Sequence, residues 1–99
     1  MITEKEKILN FLSNNKEKLT IEFGVNSIGL FGSYINNIQN RESDIDILID
    51  VKDSFKNYKY YIELKRFLEN NFGKKVDLVY KNAMNPLIKM EIQNNIIYV

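Results

Sequence analysis

The chain has 99 residues, a formal net charge of +1, 44% hydrophobic and 27% charged residues, and neither cysteine nor histidine. That size and balance predict a single domain, residues 1–99, with a real hydrophobic core and no separate substrate domain. They exclude disulfides, thiolate catalysis, Cys- or His-based metal sites and an imidazole base, and they supply no basic surface for stable nucleic-acid binding.

Any catalysis must therefore use carboxylates, hydroxyls, Lys or Arg, and any metal is expected to be a hard, oxygen-bound ion. The start, MITEKEKILNF, lacks the apolar core of a signal peptide, and no run reaches membrane-span length. The expectation is a cytoplasmic protein without membrane contact.

In chain order, Thr3-Glu4-Lys5-Glu6 fits a capping box, and Ile8, Leu9 and Leu12 recur at helical spacing, so a first helix runs to about Ser13. A second covers Lys16 to Phe23, with Gly24 as a left-handed stop. The alternation of Leu19, Ile21 and Phe23 keeps a strand there as an alternative. Ser27 to Phe31 reads as a short buried strand ended by Gly32-Ser33, with a helical turn starting at Ser33. Residues 36–43 read as loop.

Ile45 to Val51 is the best strand of the chain, and Tyr58 to Phe72 the best helix. Tyr61, Leu64, Leu68 and Phe72 share one face of that helix, with Lys59, Glu63 and Arg66 opposite. Gly73 stops it. Lys75 to Tyr80 is a third strand, Pro86 opens a last helix to about Asn94, and Ile96 to Val99 suits an edge strand. The fold class is α/β (α+β), with helices around a small central sheet.

Two aspartates interrupt this pattern where a buried strand should begin. Residues i and i+2 of a strand share a face, so Asp44 and Asp46 project together while Ile45, Ile47 and Ile49 enter the other layer. Two carboxylates about 5 Å apart repel by roughly 3 kcal/mol at an effective dielectric near 20. A proton, a basic partner or a divalent cation relieves that, and in a chain without histidine Mg²⁺ is the natural cation.

Asp77, within the apolar run KVDLVY, is a third acid, expected to be costly if buried alone. If its strand lies beside that of Asp46, three carboxylates converge. With phosphate oxygens they can hold two metal ions for in-line phosphoryl transfer. Gly32-Ser33 supplies a strand-to-helix turn whose backbone N–H groups can approach a phosphate, with the Ser33 hydroxyl as a further donor. Each signal alone has a bland reading. A lone Gly-Ser is usually a turn, a lone Asp-x-Asp a solvated strand end, and Asp77 has Lys74 and Lys75 as structural partners nearby. Their combination, in this order and on these elements, carries the chemistry.

Gly32-Ser33, ten residues, Asp44-x-Asp46 and a later strand acid, Asp77, resemble the signature of the DNA polymerase β-like nucleotidyltransferase superfamily. The stretch LFGSYINNIQNRESDIDILID is most similar to its minimal MNT-type branch, whose members are often the antitoxin of a pair with a HEPN-domain toxin. The resemblance covers nearly the whole chain. It implies a small mixed sheet flanked by helices and a Mg²⁺-dependent transfer of AMP from ATP. Gly32 and Ser33 would hold the phosphates. Asp44 and Asp46 would bind both of two metal ions. Asp77 would share one and help deprotonate the attacking hydroxyl, a tyrosine of the partner toxin.

One departure stands out. The family commonly has Arg-Gly three and four residues after the serine, where this chain has Asn36 and Asn37. Asn36 and Arg41 are then the nucleotide-binding candidates of this segment, Arg41 as the substitute cation. The alternative is an antitoxin of the same fold that masks its partner without catalysis. Exposed edge strands are compatible with a homo-oligomer or a larger complex with the toxin. Larger antibiotic or tRNA nucleotidyltransferases need an acceptor-binding domain that 99 residues are not expected to hold.

Overall fold

A computed structural model describes residues 2–35, 44–93 and 95–99. Helix α1, Glu4–Asn14, begins where the Thr3 hydroxyl accepts the Glu6 N–H at 3.1 Å. Helix α2, Lys16–Phe23, ends at Gly24, whose φ of 65° is the left-handed stop expected from the sequence. The strand alternative for this segment falls. Leu19 and Phe23, four residues apart, are buried while Ile21 is 67% exposed, which is helical and not two-residue periodicity.

Strand β1, Val25–Phe31, starts two residues before its expected position, with a register shift between Val25 and Ser27. A three-residue 3-10 turn, Gly32–Tyr34, follows and begins at Gly32, one residue earlier than expected. Strand β2 is Ile45–Val51, helix α3 is Tyr58–Phe72 and strand β3 is Val76–Tyr80. Helix α4, Pro86–Gln93, and the two-residue strand β4, Ile97–Tyr98, complete the order. The expected helix end at Asn94 and the expected loop at 36–43 lie outside the described residues.

The sheet order is β3-β2-β1-β4. Strand β1 runs antiparallel to β2 and β4, and β3 runs parallel to β2 across the α3 crossover, so the sheet is mixed. On one face Ile28, Leu30, Ile45, Ile47, Ile49, Val76 and Leu78 pack with Ile8, Leu12, Leu19, Phe23, Leu64 and Leu68 of the first three helices. Ring contacts of Phe11 with Phe67 and Phe72, and of Phe23 with Phe67, join α1 and α2 to α3. Leu48, on the opposite face, is buried, and it lines a cavity with Lys89 and Ile92 of α4. Among the described residues no helix is long and apolar enough to cross a membrane.

Strand β3 is a sheet edge, and α3 closes part of it. The Val76 N–H donates to Glu69 Oε2 at 3.0 Å, and the Tyr61 hydroxyl donates to the Leu78 carbonyl at 2.8 Å. Two groups that would otherwise offer themselves to another strand are thereby occupied. The three tyrosines in the first turn of the helix divide. Tyr61 caps the edge, Tyr60 packs on Phe55 at 4.7 Å between centroids, and Tyr58 is exposed.

Burial, then the charges of Asp77 and Glu69, raise the Tyr61 phenol above its ordinary value of 10.0. The folded state therefore holds this proton more tightly than the unfolded state. The stability it contributes is complete below about pH 10 and is lost as pH rises through the folded value. Tyr61→Phe should cost about 1 kcal/mol at neutral pH through the lost hydrogen bond. Urea midpoints followed from about pH 8 to about pH 11 should fall less steeply in Tyr61→Phe than in the wild type. Tyr80, raised by burial and then by Tyr61, keeps the variant from becoming flat. Equal slopes would show that the Tyr61 proton does not matter to folding.

Candidate active site

The three expected acids come from two neighbouring strands. Asp46 on β2 and Asp77 on β3 are register partners in the parallel pairing, between the buried pairs Ile45–Val76 and Ile47–Leu78. Alternation therefore turns both carboxylates away from the helical core. Adjacent strands bring such partners within about 5 Å. Asp44 precedes β2 by one residue and lies two residues from Asp46.

Asp44 and Asp77 are exposed, and Asp46 is half-buried. Asp77 does not pay the penalty of a buried charge, because it stands exposed on an edge strand. Solvent reaching Asp44 and Asp77 screens part of the repulsion among the acids. Among the described residues no three acidic side chains come close enough to hold one ion, and no ion pair of Asp77 with Lys74 or Lys75 occurs.

The donor set nevertheless suits Mg²⁺. That ion dehydrates reluctantly, keeps several waters and is usually held by one or two carboxylates plus substrate phosphates, not by a closed protein cage. Asp46 and Asp77, side by side on an open face, offer that arrangement, with Asp44 as the third acid.

Gly32 is tied to this site for a reason the sequence reading did not anticipate. It follows Phe31, the register partner of Asp46. Its φ is +79°, a conformation that side-chain-bearing residues rarely adopt. A Cβ placed there would overlap Asp46 Oδ2 and lie 2.9 Å from Asp46 Cγ. The missing side chain makes room for the Asp46 carboxylate itself, in addition to any approach by a phosphate. Ser33 is the second residue of the same turn. Asn36 and Arg41 lie outside the described residues.

Tyr34, the third residue of the turn, was not singled out from sequence. Its side chain is fully buried, and its hydroxyl accepts a hydrogen bond from Lys74 Nζ at 2.7 Å. The signal was present: a tyrosine directly after Gly-Ser, next to a buried strand, needs a partner for its oxygen.

None of the cavities found among the described residues is lined by Asp44, Asp46 or Asp77. A cavity of about 520 Å³ lies instead between the start of α3 and the end of β3, lined by Lys56, Tyr58, Tyr61 and Tyr80 among others and by none of the three aspartates. Among the described residues, Asp44 and Asp77 stand exposed on the sheet face opposite the helical core, where a large partner can reach them.

Gly32→Ala should destabilise the fold by about 1–2 kcal/mol from the positive φ alone, with a further loss from the overlap with Asp46. In an Asp46→Ala background that further loss should shrink, because the overlapping carboxylate is gone. Urea denaturation of the four proteins in the cycle measures this. Strict additivity would remove the Gly32–Asp46 contact from the account.

The chain matches the nucleotidyltransferase domain family over residues 5–99. It is 37% identical over 94 residues to the protein adenylyltransferase MntA of Thermococcus cleftensis, covering 95% of this chain and 94% of that one. A toxin–antitoxin crystal structure with AMP-PNP superposes with a TM-score of 0.69 at 28% identity, covering 86% of this chain and 69% of that one. The fold also matches a tri-AMPylated Shewanella oneidensis HEPN toxin in complex with MNT antitoxin, with a TM-score of 0.63 at 23% identity over 91% of this chain and 70% of that one. With Asp46 beside Asp77 and the Gly-Ser turn packed on the first of them, the chain belongs to the nucleotidyltransferase domain family, and its relatives of matching length include protein adenylyltransferases.

Proposed function

We propose that residues 1–99 act as one minimal nucleotidyltransferase domain that moves AMP from ATP to a tyrosine hydroxyl of a HEPN-domain toxin, and so serve as the antitoxin of the pair. The observation that carries this reading is the register pairing of Asp46 with Asp77 on an open sheet face. The similarity to a protein adenylyltransferase and to a toxin–antitoxin complex bound to AMP-PNP supports the donor and the kind of acceptor.

In this reading Asp44 and Asp46 would hold two Mg²⁺ ions, one of them shared with Asp77. When bound, Mg²⁺ neutralises charge on the phosphates and orients them for in-line displacement. The Gly32-Ser33 turn borders the phosphates, with Asn36 and Arg41 as further nucleotide contacts. The toxin's hydroxyl oxygen forms a bond to the α-phosphorus as the bond from that phosphorus to the β-phosphate bridging oxygen breaks. Pyrophosphate leaves, and the hydroxyl proton passes to the Asp77 carboxylate.

Two features of the chain favour a macromolecular acceptor. Asp77 is exposed at a sheet edge, where a docked partner can present a hydroxyl directly. The described part of that face leaves Asp44 and Asp77 exposed, so a docked partner supplies walls that exclude water. The net charge of +1 gives little electrostatic means to hold nucleic acid instead.

Two measurements test this function. ATP with Mg²⁺ should raise the melting temperature, and chelating the metal should abolish the rise, because only the folded state binds. Mass spectrometry of the HEPN toxin encoded with this chain should show added AMP after incubation with ATP and Mg²⁺. Asp77→Asn should abolish the addition while leaving the fold intact. A toxin that is fully inhibited yet carries no AMP would replace the enzyme with the masking antitoxin.

A further inference from the structure

We propose that Lys74 is a positioning residue for the nucleotide site, acting through Tyr34 to hold the Gly-Ser turn against the chain that launches Asp77. The inference rests on the nucleotide function proposed above. Tyr34 is 0% exposed, so its hydroxyl oxygen has no access to water. Lys74 Nζ reaches it at 2.7 Å. The same nitrogen lies 5.3 Å from the ring centroid. Those two distances place the ammonium beyond the hydroxyl and nearly in line with it, so the contact is a charge-assisted hydrogen bond and not an interaction with the ring face.

The position of this bond gives it consequence. Tyr34 directly follows Gly32 and Ser33 in the turn. Lys74 lies in the short connection between α3 and β3, three residues before Asp77. Its neighbour Lys75 accepts the Ile45 N–H at 2.9 Å, which ties the start of β2, and with it Asp44 and Asp46, to the same connection. The three segments that carry the site therefore meet around residues 74–75. The Gly32–Asp46 packing and the Asp46–Asp77 register join them from the open face. The Lys74–Tyr34 bond joins the turn to β3 from the other side.

Without it, among the described residues, the turn is held by its own 3-10 bond, Ile35 N–H to the Gly32 carbonyl at 3.1 Å, by its apolar packing and by the packing of Gly32 on Asp46. The turn should then sample positions in which Gly32 no longer sits on Asp46. Nucleotide affinity falls in proportion to the fraction of molecules in the competent arrangement.

The test is calorimetric binding of AMP-PNP with Mg²⁺, far below the melting temperature of each protein. Tyr34→Phe and Lys74→Met should each raise Kd by roughly threefold to tenfold. The double variant should be no worse than the weaker single, because one bond is lost in all three. Lys74→Arg, which retains a charged donor, should recover most of the affinity. Tyr34→Phe removes a single oxygen, so it carries the test if Lys74→Met does not fold. Folded variants with lower melting temperatures but wild-type Kd would make the bond merely structural and overturn the proposal, as would additive losses in the double variant. A wild type that fails to bind AMP-PNP overturns the nucleotide function and this inference with it. A wild type that binds, matched by its variants, overturns this inference alone.

Discussion

Strand β2 carries two incompatible demands, and its pleat is what reconciles them. Ile45, Ile47 and Ile49 go into the core, while Asp46 sits among them in sequence and must not. A period of two sends the aspartate to the opposite face without breaking the strand. Because β2 is flanked by β1 on one side and β3 on the other, both neighbours must match its phase. A one-residue slip of β3 would bury Asp77 under α3 and expose Val76 and Leu78. The hydrophobic core thus enforces the alignment of the acids: the same register that buries Val76 and Leu78 sets Asp77 beside Asp46.

An edge position for Asp77 brings a risk as well as access. Edge strands invite pairing with other chains. Here α3 answers with side chains, Glu69 to the Val76 N–H and Tyr61 to the Leu78 carbonyl. Both residues come from the helix that completes the parallel crossover, so the element that makes β3 possible also guards it. The guard leaves the acidic face free, because Glu69 and Tyr61 bond backbone groups in the plane of the sheet. The charge of Asp77 is still felt at the Tyr61 hydroxyl, which links the edge cap electrostatically to the acid it flanks.

What could be read from the sequence was mostly local. Helix α3 ran from Tyr58 to Phe72 as expected because its stripe and its Gly73 stop are both encoded within one segment. The end of α2 at Gly24 was legible for the same reason. Strand β2 stood out by its β-branched run. The pairing of Asp46 with Asp77 was expected only conditionally, since which strands adjoin is decided by contacts far apart in sequence. The exposure of Asp77 was not legible because an apolar run such as KVDLVY looks alike at a sheet centre and at an edge. The link between Tyr34 and Lys74 spans 40 residues, and nothing local to either end marks its partner. Gly32 was read as a glycine that lets a phosphate approach its backbone. That Asp46, from the neighbouring strand, packs where a Cβ would stand is a tertiary fact.

The absence of a closed acidic cage among the described residues follows from the same economy of design. Three carboxylates held permanently in contact would need a buried, low-dielectric surround, where their repulsion grows severalfold over its value in water. A chain of 99 residues has few layers with which to build one. Setting the acids on an exposed face keeps their repulsion small in the resting protein and leaves the final gathering to the ligands. In the proposed function, a metal ion brought with a triphosphate would contribute its own charge and most of the missing oxygens. The protein then needs to fix only the relative placement of two strands and one turn. The features found around the site do that: the β2–β3 register, the contact of Gly32 with Asp46, and the hydrogen bond from Lys74 to the buried Tyr34.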